Sequence, residues 1–163
     1  HFCSWRECLD LAAVKIEKNT LVVTINRTGF SLFVYPYELI ETTVSDDSLP
    51  MPLASLRDLA LMKLIAVNQR GVCKDFIDLK FIMEHTGLNL EVLLQDLRRK
   101  YAVGEELFFQ IKKSLIYFDD AERDLNVNMY ATDSGRFERL ADDTWQSTKR
   151  YFKDMVMTGS PGK

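Results

Sequence analysis

The spacing of hydrophobic and polar residues divides the chain into a strand-rich first part and a helical remainder. Residues 21–27 and 30–35 are short apolar runs separated by Thr28-Gly29, which predicts a β-hairpin. Before them, residues 5–18 place Leu9, Ala12, Ala13 and Ile16 at helical spacing and predict a helix. After Pro36 and a proline-containing loop over 45–52, the apolar spacing is helical and predicts helices at 55–70, 73–86, 89–101, 105–118 and 136–157.

These elements predict an α+β fold, with a partial antiparallel sheet that has its hairpin near 20–36 and a helical bundle after it. The corresponding organisation is a sheet region over 1–50, a helical half over 51–157 and a flexible tail over 158–163. Residues 120–135 are polar and are expected to form turns. Helix caps are predicted at Ser55, at Asn89 and at Asp119 or Asp120, and Gly71 is expected to end a helix in a left-handed conformation.

Charged residues are unusually placed around the predicted joint between the helices at 55–70 and 73–86. At about 100° per residue, Lys63 and Arg70 fall on one apolar arc of the first helix. Two cations in register on an apolar helix favour an anion site, because Arg can clamp phosphate and Lys supplies a mobile charge. The alternative is that the Lys63 side chain reaches solvent along an apolar stem.

Two carboxylates follow on the second helix. Asp75 lies in its first turn at the edge of the core stripe, where it can meet Lys63 or Arg70, although the helix dipole alone also favours Asp there. Asp78 is four residues after Lys74, so an ordinary surface pair between these two side chains is the simpler interpretation.

Composition limits the classes of function. The 163 residues are 47% hydrophobic, which indicates one domain with a real core, and the net charge of −3 supplies no global field for nucleic acid. Basic patches are therefore local, and each is also explained as a solvated helix face: Arg98-Arg99-Lys100, Lys112-Lys113, and Lys149-Arg150 with Lys153. Three cysteines lack metal-ligand spacing, and no apolar run has the length of a membrane span, so a cytoplasmic location is expected.

The central stretch resembles a known family signature. SLRDLALMKLIAVNQRGVCKDFIDLKFI contains Met62-Lys63, then Arg70-Gly71, then a Lys-Asp-Phe-x-Asp-Leu run at 74–79. This order is similar to that of the AbiEii/AbiGii nucleotidyltransferase-like toxins, the effectors of type IV toxin–antitoxin and abortive-infection pairs. The segments FSLFVYPYELIE, SLIYFDDAE and TWQSTKRYFKDMV resemble further parts of that family, so the likeness covers most of the chain.

The resemblance implies transfer of a nucleotide from an NTP to an acceptor such as tRNA, with a cognate antitoxin as a possible partner. It implies that Lys63 contacts nucleotide phosphates and that Asp75 is an essential carboxylate, with a general base as one possible role. Arg70, Lys74 and Asp78 would complete the nucleotide-binding set. Phosphoryl and nucleotidyl transfers depend on positioning and on cationic charge, which suits this cluster.

One departure from the family pattern concerns the metal. Such enzymes carry a Gly-Gly or Gly-Ser turn followed by Asp-x-Asp, and this chain has no Asp-x-Asp. Mg²⁺ is therefore expected for the intact enzyme, with ligands that are not present in this chain. The chain is interpreted as the C-terminal two-thirds of such a toxin, and catalysis by this chain alone is not expected. The alternative is an inactive interaction module that binds an antitoxin or another partner, and a helix-turn-helix DNA binder is disfavoured because no basic stripe supports it.

Overall fold

The computed structural model describes residues 11–131 and 134–159, and their fold is α+β, as the sequence predicts. By internal contacts the chain divides into two compact units, residues 1–37 and 38–163. The elements in chain order are β1 (Leu11–Glu17), β2 (Thr20–Ile25), β3 (Thr28–Phe33), α1 (Leu56–Gln69), α2 (Cys73–Thr86), α3 (Leu90–Tyr101), α4 (Glu105–Leu115), α5 (Asp119–Glu122), β4 (Asn128–Ala131), β5 (Arg136–Arg139) and α6 (Asp142–Thr158).

The first unit is a three-stranded antiparallel sheet in the order β1-β2-β3. The predicted helix over 5–18 is wrong for residues 11–17, which form β1, and its residues 5–10 lie outside the described part of the chain. Apolar residues in a short run fit both the helical and the strand periodicity. Here the antiparallel pairing with β2 makes the segment a strand.

The predicted hairpin of β2 and β3 is confirmed, but its turn lies two residues earlier than expected. Asn26 and Arg27 both have positive φ, 49° and 65°, as the two central residues of a type I′ turn require. Thr28 and Gly29 therefore belong to β3. Leu21 opposite Leu32 and Val23 opposite Phe30 give one side of the sheet an apolar surface.

The second unit is built around a core of large side chains from α1, α2, α3, α4 and α6. Phe76 of α2 lies at its centre, fully buried, and its ring contacts those of Phe118, Trp145 and Phe152 at centroid distances of 5.3, 5.9 and 5.7 Å. Cys73 is buried in the same core, and burial raises the pKa of its thiol to about 11, so the thiol stays protonated near neutral pH.

Local capping signals explain the bounds of the first helices. Ser55 accepts a hydrogen bond from the backbone N–H of Asp58 at 3.0 Å, and Asn89 accepts one from Val92 at 2.9 Å, so both predicted caps are confirmed. Gly71 has a φ of +54° after the C-cap of α1, and this left-handed residue turns the chain from α1 into α2, as predicted. The expected cap at Asp119 is wrong, because Asp119 is already the first residue of α5.

The last part of the chain contains a second hairpin that the helical spacing did not reveal. Residues 128–131 and 136–139 pair as antiparallel β4 and β5, so the predicted helix from 136 and the all-turn segment 120–135 are both wrong in part. Helix α6 begins only at Asp142 and ends at Thr158. The predicted tail lies outside the described residues from 160 onwards. No helix in the described ranges is long and apolar enough to cross a membrane.

Segment 38–50 belongs to the helical unit by its internal contacts. The backbone N–H groups of Ile40 and Glu41 donate to the carboxylate of Asp58 at 2.9 and 3.1 Å. A buried acceptor in α1 therefore holds this segment against the helices.

Candidate functional site

A cluster of charged side chains lies at the joint between α1 and α2. The Asp75 carboxylate is fully buried, and Arg70 donates to it from Nε at 2.8 Å and from an Nη at 2.9 Å. Lys63 Nζ also donates to this carboxylate, at 3.4 Å from Asp75 Oδ1. The same ammonium group donates to Asp78 Oδ2 at 2.5 Å. Four of the five candidate site residues are thus in direct contact within one helical hairpin.

The local fold explains why these side chains meet. Gly71 allows the sharp reversal, and a Cβ at this position would lie 3.3 Å from the carbonyl oxygen of Val67 in addition to having a strained φ. Asp75 is in the first turn of α2 and Arg70 is the C-cap of α1, so the reversal points the carboxylate back towards the guanidinium. The bidentate geometry fixes the orientation of the guanidinium plane.

The cations of the cluster remain accessible although their shared carboxylate is not. The Arg70 side chain is 62% exposed and the Lys63 side chain 29% exposed. The hydrogen bonds that Arg70 donates to Asp75 raise the pKa of Arg70 above its ordinary value, so its charge is permanent. An arginine has five N–H donors, and the ones that Asp75 does not engage are available to an anionic ligand.

Lys74, the fifth candidate residue, lies on the exposed face of the first turn of α2. Among the described residues it forms no ion pair, so the surface pair with Asp78 that its spacing suggested is absent. Asp78 instead forms an ion pair with Lys63 on the other helix of the joint. Lys74 and Asp78 both line a cavity beside α2.

The second buried carboxylate of α1 has a different environment. Asp58 accepts hydrogen bonds from Ser55, from two backbone N–H groups and from Lys100 of α3, whose side chain is only 1% exposed. Burial raises the pKa of Asp58, but the hydrogen bonds from Lys100, from the backbone of Ile40 and Glu41 and from Ser55 outweigh it and hold the pKa below its ordinary value. Asp58 and Lys100 form a closed pair that ties α1 to α3.

This pair corrects the sequence interpretation of the basic patch at 98–100. Lys100 is neither solvated nor available to RNA, because it is buried against Asp58 and lies near the ring of Tyr101. Lys149 is likewise engaged, with Glu122 at 2.6 Å and above the ring of Trp145. Asp58 and Lys100 are 42 residues apart, so the local sequence pattern does not indicate that they are in contact.

Within residues 11–131 and 134–159, no group of three or more His, Cys, Asp or Glu side chains is arranged to hold a metal ion. Both carboxylates at the joint accept from cations, so the cluster as folded suits an anion better than a metal.

Comparison with known proteins agrees with the resemblance noted in the sequence. A family model described as "Nucleotidyl transferase AbiEii toxin, Type IV TA system" matches residues 12–158. The uncharacterized protein aq_aa25 of Aquifex aeolicus (strain VF5) is similar, with 32% identity over 140 residues. The matched region covers 86% of this chain and 61% of that protein, so the chain spans about three-fifths of the relative's length. No solved structure matches the chain.

Proposed function

Because the chain belongs to the AbiEii nucleotidyl transferase toxin family of type IV toxin–antitoxin systems, we propose that its α1–α2 joint binds the phosphates of a nucleotide. In the intact protein, this site serves transfer of a nucleotide from an NTP to an acceptor such as tRNA. A cognate antitoxin and Mg²⁺ are proposed as its partner and cofactor on the same family grounds. Because NTP and tRNA are present in the cytoplasm, the cytoplasm is the proposed location of this reaction.

The observation that supports this proposal most is the contrast between the two buried carboxylates. Asp58 holds a lysine that is itself buried, which is the arrangement of a structural ion pair. Asp75 is equally buried but holds two cations that reach solvent, Arg70 and Lys63. A buried anchor that orients exposed cations is the arrangement that binding of an external anion requires.

The roles of the residues follow from what each one can touch. Arg70 offers a planar fork to phosphate oxygens, and Lys63 and Lys74 offer point charges. When the nucleotide is transferred to its acceptor, pyrophosphate leaves, and fixed cations stabilise the negative charge on the transferred phosphate and on this leaving group without reorganising. Asp78 accepts a second hydrogen bond from Lys63 and so helps Asp75 to orient the lysine side chain.

We assign Asp75 a positioning role and not that of a general base. A base must present a free oxygen within hydrogen-bonding distance of the proton that it removes. Both oxygens of Asp75 already accept hydrogen bonds from Arg70 and Lys63, and the carboxylate has no exposed surface. Its contribution is therefore to hold the two cations in place.

Replacing Lys63 by Met is expected to weaken nucleotide binding by about ten-fold to about 100-fold, the range that loss of a charged hydrogen bond gives. Stability should change by less than about 1 kcal/mol, because the Lys63 ammonium group is partly exposed. Affinity for the four NTPs would be measured by titration calorimetry, and the free energy of unfolding by urea denaturation.

Lys112→Met is the matched control, since Lys112 is exposed on α4 and forms no ion pair among the described residues. It should change neither quantity. Unchanged affinity in the Lys63 variant would remove the nucleotide from this joint and favour the interaction-module alternative. A stability loss of about 3–5 kcal/mol would make Lys63 a structural pair member instead.

Replacing Asp75 by Asn is expected to reduce the transfer rate of the intact protein by about 100-fold while the pH–rate profile keeps its shape. Asn preserves the volume of the side chain but no longer fixes the guanidinium of Arg70. The measurement is the transfer rate to tRNA as a function of pH. Loss of the acidic limb of the profile, which reports protonation of a general base, would identify Asp75 as the proton acceptor and overturn the positioning role.

A further inference from the structure

A cavity of about 540 Å³ lies in the helical unit between α2, the β4–β5 hairpin and the first half of α6. Its volume falls within the range of ordinary small-molecule sites, about 300–1,000 Å³. The walls that matter here are formed by Lys74, Asp78 and Phe81 of α2, by Tyr130 and Phe137 of the hairpin, and by Thr144 of α6.

Aromatic rings dominate the rim of this cavity. Phe81, Tyr130 and Phe137 are all exposed to solvent by more than half of their surface. Tyr130 and Phe137 form an edge-to-face pair with ring centroids 5.5 Å apart. Single exposed aromatics are ordinary, but three around one concavity offer flat apolar surface to a flat ligand.

The cavity adjoins the charged joint. Asp78 belongs to its lining, and the same side chain accepts a hydrogen bond from Lys63. Lys74 also belongs to the wall and forms no ion pair among the residues that the structure describes. A ligand that places a phosphate near Lys74 and Lys63 would therefore have its adjoining part at the aromatic rim.

Polar groups inside the cavity supply hydrogen bonds as well. Asn128 and Thr144 belong to its lining, and the side chains of both residue types can donate and accept hydrogen bonds. Nucleobases combine a π-face with donors and acceptors along one edge, and proteins that bind them without a duplex use aromatic stacking together with such edge contacts.

We propose that this cavity binds the base of a nucleotide whose phosphates contact Lys63, Arg70 and Lys74, with Phe81, Tyr130 and Phe137 stacking on it. The inference rests on the nucleotide-binding function proposed above and adds a specific place for the base. The base belongs either to the incoming NTP or to the 3′ end of an RNA acceptor, and the stacking chemistry is the same for both.

The test is Phe137→Ala, measured against Phe109→Ala as a matched control. The two phenylalanines are 75% and 72% exposed, so neither belongs to the core, and Phe109 lies on α4 outside the cavity lining. Three probes would be titrated into the full chain: each NTP, a short single-stranded RNA ending in CCA, and inorganic triphosphate. Inorganic triphosphate has phosphates but no base.

Phe137→Ala is expected to weaken binding of one base-bearing probe by about five-fold or more, the scale of a lost stacking contact. Its affinity for inorganic triphosphate should stay unchanged, and Phe109→Ala should change neither. A selective loss for NTP places the NTP base in the cavity, and a selective loss for the RNA places the acceptor base there. Both results support the proposal.

Unchanged affinity for both base-bearing probes in Phe137→Ala would overturn the base site. If Lys63→Met still weakened NTP and inorganic triphosphate binding, the phosphate site at the joint would stand and only the cavity assignment would fall. Failure of the wild-type chain to bind any of the three probes would overturn both proposals together.

Discussion

Asp58→Asn is expected to lower the free energy of unfolding by about 3–5 kcal/mol, the cost of leaving a buried charge without its partner. The Lys100 side chain cannot reach water, because it is 1% exposed, so loss of the carboxylate is not compensated by hydration. The amide of Asn also accepts more weakly from the N–H groups of Ile40 and Glu41. Urea denaturation monitored by circular dichroism gives the measurement.

The control for this substitution is Asp120→Asn. Asp120 pairs with Arg123 at 2.9 Å on an exposed surface, and loss of such a pair costs less than about 1 kcal/mol. A similar small loss for Asp58→Asn would show that the buried pair contributes little to stability. It would also mean that segment 38–41 is held by other contacts.

The same carboxylate has a consequence for acid stability. The pKa of Asp58 lies below its ordinary value of 3.8 in the folded chain, so folding favours the ionised form. Its contribution is therefore complete above pH 3.8 and is lost as the pH falls through the folded-state pKa. The stability difference between the wild type and Asp58→Asn should accordingly shrink with acidification below that point.

Phe76→Ala is expected to destabilise the chain by about 3–5 kcal/mol, the usual cost of removing a buried aromatic side chain. Phe76 is fully buried and its ring contacts three others, at the place where α2, α5 and α6 meet. Their packing cannot close the cavity that a missing ring leaves without moving the helices. Phe76 and Asp78 lie two residues apart in α2. Loss of the Phe76 ring should therefore also disturb the position of Asp78 and weaken the proposed nucleotide binding.

Phe109→Ala again provides the comparison, since an exposed phenylalanine should contribute within about 0.5 kcal/mol. Phe76→Leu should give an intermediate loss, because it retains most of the apolar volume. Equal stability of Phe76→Ala and the wild type would contradict the central place that the structure gives this ring.

Several contacts between residues close in sequence were predictable, although Asp78 pairs with Lys63 and not with Lys74 as its spacing suggested. Contacts between distant residues were not predictable. The meeting of Asp75 with Lys63 and Arg70 was expected from helical angles and from the glycine joint, and Ser55 and Asn89 were recognised by their capping chemistry. These inferences needed only about 20 residues of context.

The errors have a common physical origin in pairing partners elsewhere in the chain. Residues 11–17 were predicted as helix because their apolar positions fit either period, and β2 decides between the two. Residues 136–139 became a strand only through pairing with β4, which also creates the aromatic rim of the cavity. Lys100 was treated as a surface cation because its partner is 42 residues away.

The residues of the charged joint are close together in sequence, and this affects the order in which contacts form during folding. The most distant contact within it, between Lys63 and Asp78, joins residues only 15 apart, whereas the Asp58–Lys100 pair joins residues 42 apart. Contacts of low sequence separation close with little loss of chain entropy and form early. During synthesis on the ribosome, the cations of the joint can therefore be brought together once α2 has emerged, before α3 brings Lys100 to its partner.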